Sequence, residues 1–343
     1  MVGYLYDESL EDVLLEFLLN YSEKFNIPFC AISINSAKDL LSGHKAEVIM
    51  GGLKKRIGVI ETLPSILDCT FPVNLPLAAR KYGADFISEL RRKTHICIQK
   101  SVPKSRFADF LYMFNLFEHA IPTYEIKSYS ELQKKISLFP KAVLKPSEGR
   151  MGARVYFLHR ESDGSIFIEK DGKPEPFSEA RLNAYLNDIK RAWMGVGLLQ
   201  PYVDFRLDDN HALEFKLLRH RNENGEWKDV GTYAMIGGDP VVANISMGGS
   251  FADANECVQI IANKKADELY DKIDSLGFAV AKGIESLYGT DAYCLGIDIA
   301  VERKTLQPYV IEANTYPLAK RFAPAIAKQR LSYYKYLQKA YDV

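Results

Sequence analysis

Apolar residues recur along this chain in two periods, every second residue and every third or fourth, and the two keep exchanging. At the front, Val2 to Tyr6 reads as a short apolar strand. Leu10 to Phe25 reads as a helix whose inward face carries Leu10, Val13, Leu14, Phe17, Leu18 and Tyr21. Pro28 punctuates, and Phe29 to Ile34 is a second strand. Glu47 to Met50 before Gly51 and Gly52, Arg56 to Glu61, and Ile66 to Cys69 supply three more. Strands alternating with helices predict a parallel sheet under helical cover, a small Rossmann-like domain over residues 1–96.

Residues 97–197 form a second unit. Phe107 to His119 has helical spacing and stops before Pro122, and a further helix runs from Ser130 to Ser137, with Ser130 and Glu131 at its start. Lys141 to Pro146 is a strand ended by proline, and Ala153 to His159 another, so the glycine-containing loop between them makes a hairpin. Arg181 to Trp193 is helical. In residues 198–343 the strand-like runs are Leu198 to Val203, Leu213 to Arg219, Val230 to Ile236 and Pro240 to Ile245, with Asn224-Gly225 as a hairpin turn. A long helix follows from Lys264 to Tyr288, with Gly277 and Gly283 as mild interruptions. Cys294 to Val301 and Tyr309 to Ala313 are two buried strands, and Ala325 to Tyr341 is a closing helix whose tyrosines suit packing.

Composition narrows the function classes. The 343 residues hold 44 Lys+Arg against 44 Asp+Glu, a formal net charge of zero, which removes bulk basicity as a route to nucleic acid or membrane. No run of apolar residues is long enough to span a bilayer, and the first residues lack a secretory signal, so a soluble cytoplasmic protein is expected. Cys30, Cys69, Cys97, Cys257 and Cys294 are scattered without a C-x-x-C pair, which argues against a disulfide scaffold or zinc site. The six histidines show no metal-like spacing.

Three stretches carry chemistry. Asp298 interrupts the apolar run Leu295 to Val301, where an unpaired carboxylate would be costly, while Glu312 and Asn314, two apart, share one strand face. If the two strands pair, three oxygen-bearing side chains converge as a hard-cation set suited to Mg2+; a carboxylate satisfied by a neighbouring Lys or Arg is the other reading. The phrase Lys145-Pro-Ser-Glu-Gly-Arg-Met-Gly152 delivers a lysine and then a flexible loop whose amides can approach phosphate. It lacks the G-K-[ST] of a Walker loop and the three glycines of the dinucleotide fingerprint, and taken alone it reads first as a plain hairpin turn. Leu198 to Asp204 is an extended segment able to read an adenine edge, with a carboxylate after it; it also reads as an ordinary edge strand.

Lysine strand and glycine loop, then extended segment, then Asp…Glu-x-Asn is the chain order of the ATP-grasp superfamily, which this sequence resembles over most of residues 96–318. Glu214 to Trp227, followed by Val242 to Gly249, is similar to the endospore coat-associated YheC/YheD-type branch. The resemblance implies an α/β (α+β) chain: a pre-ATP-grasp Rossmann-like domain (1–96), a central lid domain (97–197) and a C-terminal mixed-sheet domain (198–343). It implies that Lys145, with Lys100 as companion and Lys104 as the alternative, contacts the phosphates of ATP. Ser147, Gly149 and Gly152 would belong to the mobile loop over the triphosphate. Gln200, Tyr202 and Val203 would form the adenine hinge, and Asp204 would hold the ribose. Asp298, Glu312 and Asn314 would hold Mg2+, two ions with Mn2+ as a substitute. Asn244, Gly248 and Gly249 would line the acceptor side.

The sequence departs from the branch where relatives carry arginines. Lys216 stands in an Asp-x-Arg phrase rewritten as Glu214-Phe215-Lys216, and Met235 stands at a second arginine position. Lys216 keeps the charge without the bidentate fork; Arg150, Arg219 or Arg221 would then substitute. The resemblance implies an ATP-dependent carboxylate–amine ligase releasing ADP and phosphate, with Lys216, Arg150 and Asn244 as catalytic residues. Its substrates would be small-molecule or peptide carboxylates and amines; many relatives pair through their front domains, which leaves a homodimer as one option without fixing the oligomeric state. The alternatives are an ATP-binding assembly protein of the spore-coat type and a small-molecule kinase.

Overall fold

The structure is a computed structural model. It describes the whole chain except residues 53–55, 72–73, 149–152, 171–172, 209, 239–242, 244–247, 316, 318–319 and 343, and the side chains of residues 74, 170 and 193. The expected strand at Pro240 to Ile245 therefore lies outside the described residues, apart from Ala243.

The first domain contains β1 (Val2–Tyr6), α1 (Val13–Ser22), β2 (Phe29–Ser33), α2 (Ile34–Leu41), β3 (Ala46–Met50), β4 (Arg56–Ile60), β5 (Ile66–Asp68), α3 (Asn74–Tyr82), α4 (Ala84–Lys93) and β6 (His95–Cys97). The strands lie in the order β4-β3-β2-β1-β5-β6. β2, β1, β5 and β6 run parallel, as expected, but β3 and β4 form an antiparallel hairpin on the edge. The sheet is mixed because the short link between β3 and β4 leaves no room for a crossover helix. Helix α1 starts later than its apolar spacing suggests: Asp12 caps it, accepting from the amides of Leu14 at 3.0 Å and Leu15 at 3.3 Å.

Helix α5 (Phe107–Met113), within the stretch expected to belong to the second domain, instead packs its Phe107, Phe110 and Leu111 into the core of the third. The second domain holds β7 (Tyr124–Ile126), α6 (Tyr129–Ile136), β8 (Lys141–Pro146), β9 (Tyr156–Arg160), β10 (Ile166–Lys170), β11 (Lys173–Pro176), α7 (Glu179–Trp193) and β12 (Gly197–Pro201). Its sheet, β11-β10-β9-β8-β12-β7, is antiparallel throughout, and β8 and β9 form the expected hairpin. Ser128, not Ser130, caps α6, accepting from Glu131 N at 3.2 Å while Glu131 accepts from Lys127 N at 2.8 Å. The single helix read from Phe107 to His119 is α5 followed by a 3-10 turn at Phe117–His119.

The third domain holds β13 (Leu213–Arg221), β14 (Trp227–Ile236), β15 (Ser250–Asp253), α8 (Ala254–Ala262), α9 (Ala266–Tyr288), β16 (Cys294–Val301), β17 (Pro308–Thr315) and α10 (Ala323–Ala340). Its antiparallel sheet runs β15-β14-β13-β16-β17. Helix α9 is unbroken at its glycines. A Cβ on Gly277 would come within 2.5 Å of Leu217, so glycine lets the helix lie directly on β13.

Helix α10 crosses back to the first domain. Ile326, Leu331, Tyr334 and Leu337 share one core with Leu14, Leu18 and Phe29. The fully buried Arg330 meets the fully buried Asp68 at 3.5 Å and donates to Thr70 Oγ1 at 2.6 Å, while Tyr334 donates its hydroxyl to Asp68. This cross-domain ion pair sits where neither charge reaches water.

Candidate active site

The two strands read as carrying the metal ligands do pair. In β16 and β17, Asp298 stands opposite Glu312 and Gly296 opposite Asn314, with a register shift just after Asp298. On its other side, Asp298 stands opposite Lys216 of β13. Asn314 Nδ2 donates to Glu312 Oε1 at 2.6 Å and to Asp298 Oδ2 at 3.1 Å, so one amide ties both carboxylates together. Lys216 Nζ lies 2.8 Å from Asp298 Oδ1, and Lys104 Nζ lies 2.8 Å from Glu312 Oε2.

Glu214, two residues before Lys216 on the same face of β13, adds a third carboxyl group. Lys145 reaches in from β8 of the second domain; its charge acts on both Glu312 and Glu214. The cluster thus sets three carboxyl groups against three ammonium groups between two sheets.

Burial and charge pull the groups apart. Burial pushes the Glu214 carboxyl up to about 8, reinforced by Asp298 and Glu312 and opposed by Lys216 and Lys145. Burial also raises Asp298, more than Lys216 lowers it. For Glu312, burial is outweighed by Lys104, with help from Asn314 and Lys145, and its carboxyl is held low. Burial lowers the Lys145 ammonium. Burial opposes the Lys216 charge too, but Asp298 outweighs it and holds the ammonium above its ordinary value.

These donors fit a hard cation. Asp298 and Glu312 offer carboxylate oxygens, and rotation of the Asn314 amide would bring its oxygen to the same point. Among the described residues no group of three or more His, Cys, Asp or Glu side chains is placed to hold a metal, so the amide completes the set. The lysines now on the carboxylates are the charges that a bound cation would displace toward phosphate.

Lys100 does not join the cluster. It pairs with Asp291 at 2.7 Å, and Asp291 precedes β16 on the side away from Asp298. Lys104, its alternative, occupies the site. Ser147 is buried, and its hydroxyl accepts from Val196 N at 3.0 Å, which fixes the start of the glycine loop; Gly149, Arg150 and Gly152 lie outside the described residues. Gln200 donates to Thr123 Oγ1 at 2.8 Å, and Tyr202 stands edge-on to Phe157. Val203 follows Tyr202 in the extended link after β12. Asp204 is gripped by Arg206, whose Nε and terminal nitrogen donate at 2.7 and 2.8 Å, and this contact lowers its carboxyl.

Gly248 and Gly249 lead into β15, whose Phe251 stands opposite Met235 on β14. Met235 in turn stands opposite Glu214. Three strand spacings of ~4.8 Å separate β15 from β16, so the glycines lie about 14 Å to one side of Asp298. Asn244 lies outside the described residues. Arg219 and Arg221 cannot replace the missing arginines. Arg219 is fully buried against Asp229 and Asp274, and Arg221 is bound to Glu285 at 3.0 Å, both at the far end of β13. Glu214 was not singled out as a site residue from the sequence; its alternation with Lys216 on one strand was the available signal.

Comparison with known proteins decides the family. The profile described as "YheC/D like ATP-grasp" matches residues 94–341. The chain belongs to the YheC/D-like ATP-grasp family. Among relatives of this YheC/D-like chain, the endospore coat-associated protein YheC of Bacillus subtilis (strain 168) is 23% identical over 269 residues, covering 74% of this chain and 73% of that protein. Two solved structures share the ATP-grasp fold. D-cycloserine synthetase DcsG has TM-score 0.54 at 13% identity, covering 96% of this chain and 99% of that one. A biotin carboxylase–β,γ-ATP complex from Campylobacter jejuni has TM-score 0.55 at 12% identity, covering 97% and 71%. Among the described residues no helix of this YheC/D-like protein is long and apolar enough to cross a membrane.

Proposed function

We propose that the protein is an ATP- and Mg2+-dependent carboxylate–amine ligase that forms an amide through an acyl phosphate and releases ADP and phosphate. The observation that supports this most is the meeting of Asp298, Glu312 and Asn314 with Lys104, Lys145 and Lys216 in an ATP-grasp chain. Asp298, Glu312 and the Asn314 amide oxygen would hold Mg2+, which when bound supplies Lewis-acid charge for the phosphate oxygens.

The chain's own residues do the positioning. Lys145 and Lys104 bind phosphate oxygens, and Lys216 steadies charge beside the metal ligands. Backbone groups from Gln200 to Val203 take the adenine, and Asp204, shared with Arg206, takes the ribose. In this reading Asn244, Gly248 and Gly249 serve the acceptor substrate, and Arg150 of the glycine loop serves the transferring phosphate.

A carboxylate oxygen attacks the γ-phosphorus and ADP leaves. The amine nitrogen then attacks the acyl carbon, the C–O bond to phosphate breaks, and the amine gives up a proton. Catalysis is positioning plus charge neutralisation, with water kept from the acyl phosphate by closure over the site.

A second reading has a specific observation behind it. The position beside Glu214 that would carry an arginine is the apolar Met235, and Arg219 and Arg221 are engaged elsewhere. An ATP-binding assembly protein, in keeping with the name of the B. subtilis relative, needs no such arginine. ADP release against a panel of amino acids and peptides, followed by mass spectrometry, separates the readings. Condensed product with ADP and phosphate is expected. Phosphorylated product alone would make it a kinase, AMP with pyrophosphate would replace the acyl phosphate by an adenylate, and tight ATP binding without turnover would favour assembly.

A further inference from the structure

An open cavity of about 760 Å3 lies where the first domain meets the start of β16. Asp291 on its wall precedes β16, and Asp298 lies four residues, or about 13 Å of strand, beyond the first residue of β16. One side of the cavity is the outer edge of β6, the last strand of its sheet. β6 pairs only with β5, in parallel, with His95 opposite Ile66 and Cys97 opposite Asp68. His95 donates its N–H to the Ser65 carbonyl at 2.9 Å, and the Cys97 carbonyl accepts from Cys69 N at 2.9 Å. Along a parallel strand the N–H and C=O of each residue point to one side and alternate from residue to residue. His95 and Cys97 therefore face β5, while the backbone groups of Ile96 face the cavity, which Ile98 beyond the strand also lines. Among the described residues these groups have no partner there.

The wall around this bare edge carries four cations against one carboxylate. Arg91, Arg92 and Lys93 form the last turn of α4, all exposed, and among the described residues none is paired with a carboxylate. A cation at a helix C-terminus offsets the dipole, which accounts for one of them but not for three in succession. The single lining carboxylate, Asp291, is already held by Lys100 at 2.7 Å.

We propose that this cavity docks an extended acidic peptide segment, which adds to the free edge of β6 as a further strand and lays its carboxylates against Arg91, Arg92 and Lys93. The strand edge supplies the main-chain hydrogen bonds, and the cations select acidic side chains. A small anion would satisfy the cations and leave the Ile96 amide and carbonyl unpaired. The cavity runs along the edge of β6 from Thr94 to Lys100, and Lys100 on its wall is paired with Asp291, away from the carboxylates of Asp298 and Glu312. The docking site is thus separate from the candidate active site and independent of the ligase reading.

The experiment is fluorescence anisotropy of the full chain with a dye-labelled peptide of alternating threonine and glutamate. Saturable binding is expected, weakening with salt and falling about tenfold or more in the R91E/R92E variant. A threonine–lysine peptide should not bind, and the variant should stay folded at the assay temperature, read by circular dichroism, with a melting midpoint lowered only by the lost dipole contacts. Two further probes carry N-methyl groups on alternate backbone amides, one in each register; one should bind like the parent and the other should fail. The proposal is overturned by no saturable binding of the threonine–glutamate peptide, by equal affinity for both N-methylated probes, or by full displacement with an equal concentration of inorganic pyrophosphate.

Discussion

Replacing Glu214 with glutamine is expected to flatten the pH dependence of stability. In the folded chain the Glu214 carboxyl is pushed up to about 8 by burial and by its neighbours Asp298 and Glu312. In the unfolded chain it titrates near the ordinary glutamate value of about 4.3. The folded value is the higher one, so the stability linked to this proton is fully present below about pH 4 and is lost as pH rises to about 8. Between about pH 5 and about pH 8.5 linkage gives a ceiling of about 4 kcal/mol. Glu214 keeps some exposed area, so half of that, about 2 kcal/mol, is the expected size. In a chain of this length that is a fall of about 3 °C in Tm. Glu214→Gln keeps the shape and removes the titration. Melting both proteins across this range in the presence of a chelator gives the difference directly. Wild-type and variant curves that stay parallel to within about 1 °C would refute the charge arrangement argued for the site.

Asp298→Asn should cut ATP turnover by about a hundredfold or more, because it removes metal-binding charge, and should lower the melting midpoint, because it leaves the buried Lys216 without its partner. The assay is run well below that midpoint; ADP release at the wild-type rate would dismiss the metal role. Lys145→Met should weaken ATP binding about tenfold, read by calorimetry, since it removes a charge-assisted contact to phosphate; unchanged affinity would move the phosphates elsewhere. Arg330→Met leaves the buried Asp68 without its cation and should cost about 3–5 kcal/mol in urea unfolding; a loss below about 1 kcal/mol would mean that Tyr334 and Thr70 satisfy Asp68 alone.

What could be read from the sequence was local. The run Leu295 to Val301 broken by Asp298, and the Glu312-x-Asn314 spacing, each announce a strand with polar groups on one side, and the two strands pair with Asp298 opposite Glu312. The companion lysine was harder to choose. Lys100 and Lys104 both stand ahead of the second domain, and only the path of the chain places Lys104 on Glu312 and Lys100 on Asp291. The pairing of Lys216 with Asp298 depends on β13 lying beside β16, a long-range register that periodicity does not carry. The antiparallel β3–β4 hairpin was missed because strand spacing is the same in both directions. The arginines at 219 and 221 were offered as replacements because they are near in sequence, but a register shift after Leu218 and the carboxylates of Asp229, Asp274 and Glu285 hold them elsewhere.

Helix α10 has a bearing on biosynthesis. Leu14, Leu18 and Phe29 emerge early from the ribosome, yet the residues that cover them, Ile326, Leu331, Tyr334 and Leu337, come some three hundred positions later, as the numbering itself shows. The opening domain cannot close its interior vectorially; it must wait, with sticky surface uncovered, while the rest of the polypeptide is translated. A nascent chain of this design needs shielding during that interval, and fragments truncated ahead of α10 should precipitate even though every strand of the first sheet is present.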